Sequence, residues 1–137
     1  MTAYDKALYL LGMREHGRRE LELKLIGKGY DGDEVSQTLD RLEDEGYLSD
    51  ERFCESYIRS RLRRTPEGRS VMVHRLMAKG ITSAQASSAV ASYYDEHEDE
   101  IDGIFRSYAA RLYEQKGEMK ARAALMRKGI RLTDRSR

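Results

Sequence analysis

The chain has 137 residues, 36% charged and 39% hydrophobic, with one proline, one cysteine, no tryptophan and a formal net charge of +1. Such a length suits one compact domain or a short repeat array, and a charge-heavy, proline-poor composition favours helices over sheets. No run approaches the roughly 20 apolar residues of a membrane span, Met1 to Leu8 lack the apolar region of a secretion signal, and Cys54 has no second cysteine to pair with, so a cytoplasmic, reducing setting is expected.

The first predicted helix runs from about Ala3 to Glu15, with an apolar stripe of Ala3, Ala7, Leu10 and Leu11. Gly17 can serve as N-cap to a short second helix whose Leu21 and Leu25 share a face, since residues four apart stack. Lys28 falls in its last turn, where the helix dipole favours a cation, and Gly29 takes the left-handed position that ends it. Asp31, with Glu34 three residues on, caps a third helix carrying Val35, Leu39 and Leu42, and Gly46 closes it. A fourth helix begins after Ser49-Asp50 and carries Phe53, Tyr57, Ile58 and Leu62. Thr65-Pro66 breaks the chain there, because proline cannot continue a helix interior. Gly68 opens a fifth helix with Met72 and Leu76, closed by Lys79-Gly80. Thr82 and Gln85 open a sixth with Ala86, Val90 and Tyr93. The acidic run from Asp95 to Glu100 reads as a charged linker or helix start ahead of a seventh helix with Ile104, Tyr108 and Leu112. Gly117 opens the eighth, which carries Ala121 and Leu125 and ends at Lys128-Gly129.

These segments form a repeat. Gly17, Gly68 and Gly117 are each followed eight residues later by leucine, then by Lys-Gly, then by Tyr30, Ile81 or Ile130. The reading is an all-α protein of tandem three-helix repeats in an elongated, curved array. The repeats divide at residues 1–48, 49–97 and 98–137, and the third is incomplete, lacking its last helix. Each helix has a single apolar stripe, so stacking of the copies is expected to supply the core.

Charge alternates along the chain. Residues 1–51 carry a net −6, residues 52–80 a net +6, residues 81–102 a net −6 and residues 103–137 a net +7. The cations are mostly arginine, whose planar fork matches carboxylate or phosphate. Arg59, Arg61, Arg63, Arg64, Arg69, Arg75 and Lys79 form the main candidate contact cluster, and Arg122, Arg127 and Lys128, with Arg131, a second. Arg59 and Arg63 share one helix face while Arg61 and Arg64 share another. Solubility and pairing with acidic neighbours therefore compete with partner contact. In the first repeat Arg18, Arg19, Lys24 and Lys28 are interleaved with Glu20 and Glu22, which favours pairing within the helix. Tyrosines can stack on bases, but Tyr57, Tyr93 and Tyr108 occupy core-aligned positions.

Nothing in the pattern points to catalysis. His16, His74 and His97 have no metal-ligand spacing with one another or with Cys54. Cys54 follows the core candidate Phe53 and reads as a buried, inert thiol. The acidic run lacks the glycine turn of a calcium loop, and no glycine-rich phosphate loop follows a strand. No enzyme activity, metal or cofactor is expected, and the protein is expected to be a monomer.

Several segments carry a family likeness: Arg19-Glu20-Leu21 through Leu25 to Lys28-Gly29-Tyr30, the run from Gly46 to Phe53, Tyr57-Ile58 with Arg61, and Leu76 with Lys79-Gly80-Ile81. In these the sequence resembles the RecX family, the bacterial modulators of the RecA recombinase. It departs from the family at Cys54, where a small residue such as alanine is usual, and in the shortened third repeat. The resemblance implies a non-enzymatic protein that binds along the groove of the RecA–single-stranded-DNA filament. There it would inhibit ATP hydrolysis, strand exchange and assisted repressor cleavage, with direct contact to single-stranded DNA a further expectation. A helix–turn–helix DNA-binding protein and a helical-repeat adaptor for another partner stay open. Near-zero net charge argues against strong independent duplex binding.

Overall fold

The computed structural model describes residues 1–132. Eight α-helices follow in order: α1 (Ala3–Met13), α2 (Arg18–Gly27), α3 (Gly32–Asp44), α4 (Asp50–Arg64), α5 (Arg69–Ala78), α6 (Ser83–Glu96), α7 (Glu98–Lys116) and α8 (Glu118–Arg127). Among the described residues no segment is a strand, and no helix is long and apolar enough to cross a membrane.

Side chains fix where the helices start. Thr2 accepts from the Asp5 amide and Asp5 reaches back to the Thr2 amide, a complete capping box on α1. Asp31, Ser49 and Thr82 cap α3, α4 and α6 in the simpler one-way fashion. The ends of α2, α5 and α8 explain the repeated Leu-x-x-Lys-Gly-Tyr/Ile motif. Gly29, Gly80 and Gly129 adopt φ of +94°, +93° and +65°, which brings the next amide back to the leucine carbonyl: Tyr30 to Leu25, Ile81 to Leu76 and Ile130 to Leu125. This is the Schellman arrangement, and the large residue after the glycine covers the leucine five positions earlier.

Two apolar cores result. Leu21, Leu25, Val35, Leu39, Leu42 and Leu48 close one among α1–α3, with Ala7 small enough to let α1 approach. Each of those leucines contributes roughly 1.5–3 kcal/mol when fully buried. A second, larger core runs without interruption from Phe53 to Ile130 and is shared by α4–α8. Stacking thus supplies the core of the second and third units as expected, whereas the leucine-rich first unit encloses a core of its own.

The second helices of the units meet end to end. The turn after α8 abuts the start of α5, where the Gly68 amide donates to the Lys128 carbonyl at 2.8 Å. The turn after α5 abuts the start of α2: Gly80 lies against Arg19, and Gly17 against Asp50, Phe53 and Ile81. A Cβ on Gly68 would fall 2.5 Å from the Gly129 carbonyl carbon, backbone that cannot step aside. Gly68→Ala is therefore expected to destabilise the protein by about 2 kcal/mol, the usual scale of overpacking. Urea unfolding followed by circular dichroism checks it; a variant as stable as the parent would disprove the close junction.

The seventh helix departs from expectation in its phase. It buries Ile101, Asp102, Phe105, Ala109 and Leu112, while Ile104 and Tyr108 are only partly covered. The acidic residues Glu98, Asp99 and Glu100 form its first turn, where the dipole favours them. The helix is longer for it, and packing against the neighbouring helices turns the face with Phe105 inward, not the one with Ile104.

Candidate functional site

The cation cluster of the second unit is organised around a buried carboxylate. Pro66 ends α4 and the chain turns Glu67 inward, where it is 0% exposed. Arg61 Nε donates to its Oε1 at 2.8 Å; Arg75 donates from Nε and Nη2 to its Oε2 at 3.0 and 2.8 Å. The Tyr94 hydroxyl donates to the Glu67 carbonyl at 2.7 Å, tying α6 to the same link. Burial alone would push the Glu67 carboxyl up, but the Arg75 and Arg61 guanidiniums outweigh it and hold it below the usual carboxylate range. Arg61 and the more exposed Arg75 thus bind α4 to α5 through the buried Glu67.

The remaining candidates divide by partner. Arg59 pairs with Glu55 at 3.6 Å within α4, Arg69 with Asp95 at 2.6 Å, and Arg122 with Glu118 at 3.0 Å within α8. Lys128 donates to the Thr65 hydroxyl at 2.7 Å, closing the junction between α8 and α5. Arg63, Arg64, Lys79 and Arg127 are exposed and have no ion pair among the described residues. They are the members of the two predicted clusters free to meet a partner. Arg131 is exposed at the edge of the described residues. In the first unit Arg19 pairs with Glu22 within α2, whereas Arg18 reaches across to Asp40 and Glu43 of α3.

His16 stands at the same repeat position as Glu67, one residue before the glycine that opens the second helix, and is 1% exposed. Its Nδ1 lies 3.0 Å from the Arg14 carbonyl and its Nε2 2.9 Å from Lys24 Nζ. Donors and acceptors match only for a neutral ring, with Nδ1–H donating and Nε2 accepting from the ammonium. Burial lowers the His16 pKa and the Arg14 and Lys24 cations lower it further, against the Arg14 carbonyl and Glu20, which raise it. The unfolded chain, near 6.5, takes up the proton first, so stability is full above about pH 6.5 and falls as pH drops toward the folded value. Urea midpoints at pH 7.5 and 5.5 should differ for the parent and much less for His16→Gln; equal slopes would contradict this. The residues alone hint at both nodes only through their shared place before the repeat glycine.

The other candidate reactive groups are held in structural contacts. The Cys54 thiol is buried, and burial together with Asp50 and Glu51 pushes it up to about 11, which suppresses the thiolate at neutral pH. The His97 ring stacks on Tyr93 at 4.1 Å and its Nδ1 meets the Tyr93 carbonyl. Among the described residues no three His, Cys, Asp or Glu side chains are placed to hold a metal ion.

Three-helix units in tandem, joined through the ends of their second helices and carrying unpaired surface cations, define a class of small helical-repeat proteins. Residues 3–42 match the first three-helix domain of RecX and residues 49–90 the second. The chain belongs to the RecX family. It is 33% identical over 106 residues to the regulatory protein RecX of Chlorobium phaeobacteroides, a match spanning 77% of this chain and 70% of that one. With the regulatory protein RecX of Chlorobaculum tepidum it is 44% identical over 80 residues, 58% of this chain and 50% of the relative. The matched region thus spans 50% to 70% of these relatives. A crystal structure of RecX from Lactobacillus salivarius superposes with a TM-score of 0.74 at 26% identity, covering 94% of this chain and 86% of that one.

Proposed function

We propose that this protein regulates the RecA recombinase in the cytoplasm by binding, not by chemistry. It lies along the RecA–single-stranded-DNA filament as a monomer and lowers ATP hydrolysis, strand exchange and co-protease activity. Family membership supports the partner. The observation that carries the binding mode is the division of the cations: Arg61 and Arg75 are spent on Glu67, while Arg63, Arg64, Lys79 and Arg127 face outward without ion pairs among the described residues. Exposed guanidiniums suit DNA phosphate or acidic protein patches. A ligand that fits one filament conformation better than another shifts the filament toward the preferred one, and inhibition follows when that one is inactive.

Titrating the protein into RecA on single-stranded DNA, with ATP hydrolysis as readout, tests the reading. A graded fall in turnover up to equal ratios is expected; unchanged hydrolysis at every ratio rejects it. Retention on duplex DNA at physiological salt without recombinase would instead favour a direct DNA-binding role.

A further inference from the structure

A cleft of about 580 Å³ opens between α4 and α6, and none of the roles above uses it. Buried Cys54 and Tyr93 and half-buried Ala89 line its depth. Asp50 and the exposed Glu51, Glu55 and Glu96 stand around it, and Ser88 and Ser92 leave the α6 wall low. Among the described residues no lysine or arginine lines it.

The first unit contains the same groove, filled. The caps Thr2 and Ser49 and the buried pair Ala7 and Cys54 set α1 and α4 in register. The buried pairs Val35/Ala86 and Leu39/Val90 do the same for α3 and α6. In that register Tyr4 and Leu8 stand where α4 has Glu51 and Glu55. Gln37 and Arg41 stand where α6 has Ser88 and Ser92, and Glu45 coincides with Glu96. The Tyr4 hydroxyl donates to Glu45 at 2.7 Å, and the Arg41 guanidinium lies 3.8 Å over the Tyr4 ring with its Nε 3.4 Å from Glu45. Tyr4 and Leu8 also pack on the core. The first groove thus holds a ring, an aliphatic chain and a guanidinium closing on a carboxylate. In the second groove that carboxylate remains, its cation and ring are gone, and carboxylates replace both apolar chains. Glu51 and Glu96 form no ion pair among the described residues.

We propose that the α4/α6 cleft takes a basic segment of a protein partner, with an arginine side chain reaching Glu96 between Glu51 and Glu55. The apolar neighbours of that arginine lie on Cys54, Ala89 and Tyr93. The first unit supplies the same contact in cis through Arg41, Tyr4 and Glu45. A guanidinium is the cation that fits, because its planar fork bonds a carboxylate while its face covers an apolar floor. Phosphate is excluded by the acidic rim, so this surface is separate from the outward-facing cations and goes beyond the filament reading.

The test uses the full chain and a short synthetic helix-forming peptide of arginine, leucine, tyrosine and alanine. Binding is followed by amide chemical shifts, expected to move at Cys54, Ser88, Ala89 and Ser92. Glu96→Gln should weaken binding roughly tenfold, the worth of one charge-assisted hydrogen bond. The double variant Glu51→Tyr with Ser92→Arg rebuilds the filler of the first unit and should fold normally while abolishing binding. If that variant does not fold, Glu51→Gln, expected to weaken binding in the same way, replaces it. Shifts confined to other surfaces, equal binding of a peptide with glutamate in place of arginine, or unchanged binding by the variants overturns the proposal. Spermine moving the same amides at the same affinity would overturn the protein-segment assignment in favour of a small polycation.

Discussion

Replacing Arg61 and Arg75 together by methionine is expected to cost about 3–5 kcal/mol of stability at neutral pH, because it strands a buried carboxylate without its cations. Glu67 has no exposure to fall back on, and the two guanidiniums supply its side-chain hydrogen bonds. The pH dependence should also change sign. In the parent the folded-state pKa of Glu67 lies below its ordinary value, so its contribution is present above about pH 4.5 and is lost as pH falls through the folded value. In the double variant only desolvation remains, the folded pKa rises above the unfolded one, and stability falls as pH rises instead. Adding Glu67→Gln to that background should recover much of the loss, since a buried ion cluster replaced as a whole is often neutral. Urea titrations of the three proteins from pH 4 to 7 decide it; parallel pH profiles would mean that Glu67 is not held by these two arginines.

The second large effect falls on function. Arg63→Glu with Arg64→Glu should raise the concentration of protein needed for half-inhibition of recombinase ATP hydrolysis at least tenfold, the effect of losing about 1.4 kcal/mol of interaction. Both side chains are exposed, so the fold should survive, with the thermal midpoint lowered only by the few degrees that two anions in the last turn of α4 cost. Inhibition by the parent should also weaken with added salt, as contacts between exposed charges do. Full inhibition by the charge-reversed protein would place the contact elsewhere on the chain.

Much of this architecture can be read directly from the residues, because helix ends are local chemistry. Thr2, Asp31, Ser49 and Thr82 cap within three residues of themselves, and the Lys-Gly turns bond within five. The rotation of α7 is different: Ile104 and Phe105 are adjacent and both apolar, and only packing against neighbouring helices chooses between them. The candidate site divides in the same way. An arginine-rich stretch is visible as composition, yet Arg61 and Arg75 lie six and eight residues from Glu67, on separate helices. No short-range rule pairs them, so arginines that meet Glu67 and arginines that do not look alike until the chain turns at Pro66. The cleft is less legible still, since small residues on α6 and acids on α4 become a vacancy only once the two helices are in register.

The division into two apolar cores bears on how the protein comes apart. With their own cluster, α1–α3 can open while α4–α8 stay closed, so unfolding need not be a single all-or-none event. Each half also carries its own proton trigger at the same repeat position. Below about pH 6.5 the lowered pKa of His16 weakens the first half, whereas the contribution of Glu67 to the second stays in full down to about pH 4.5. Mild acidification is therefore expected to loosen α1–α3 before α4–α8, which hydrogen exchange at pH 7.5 and 5.5 would resolve half by half.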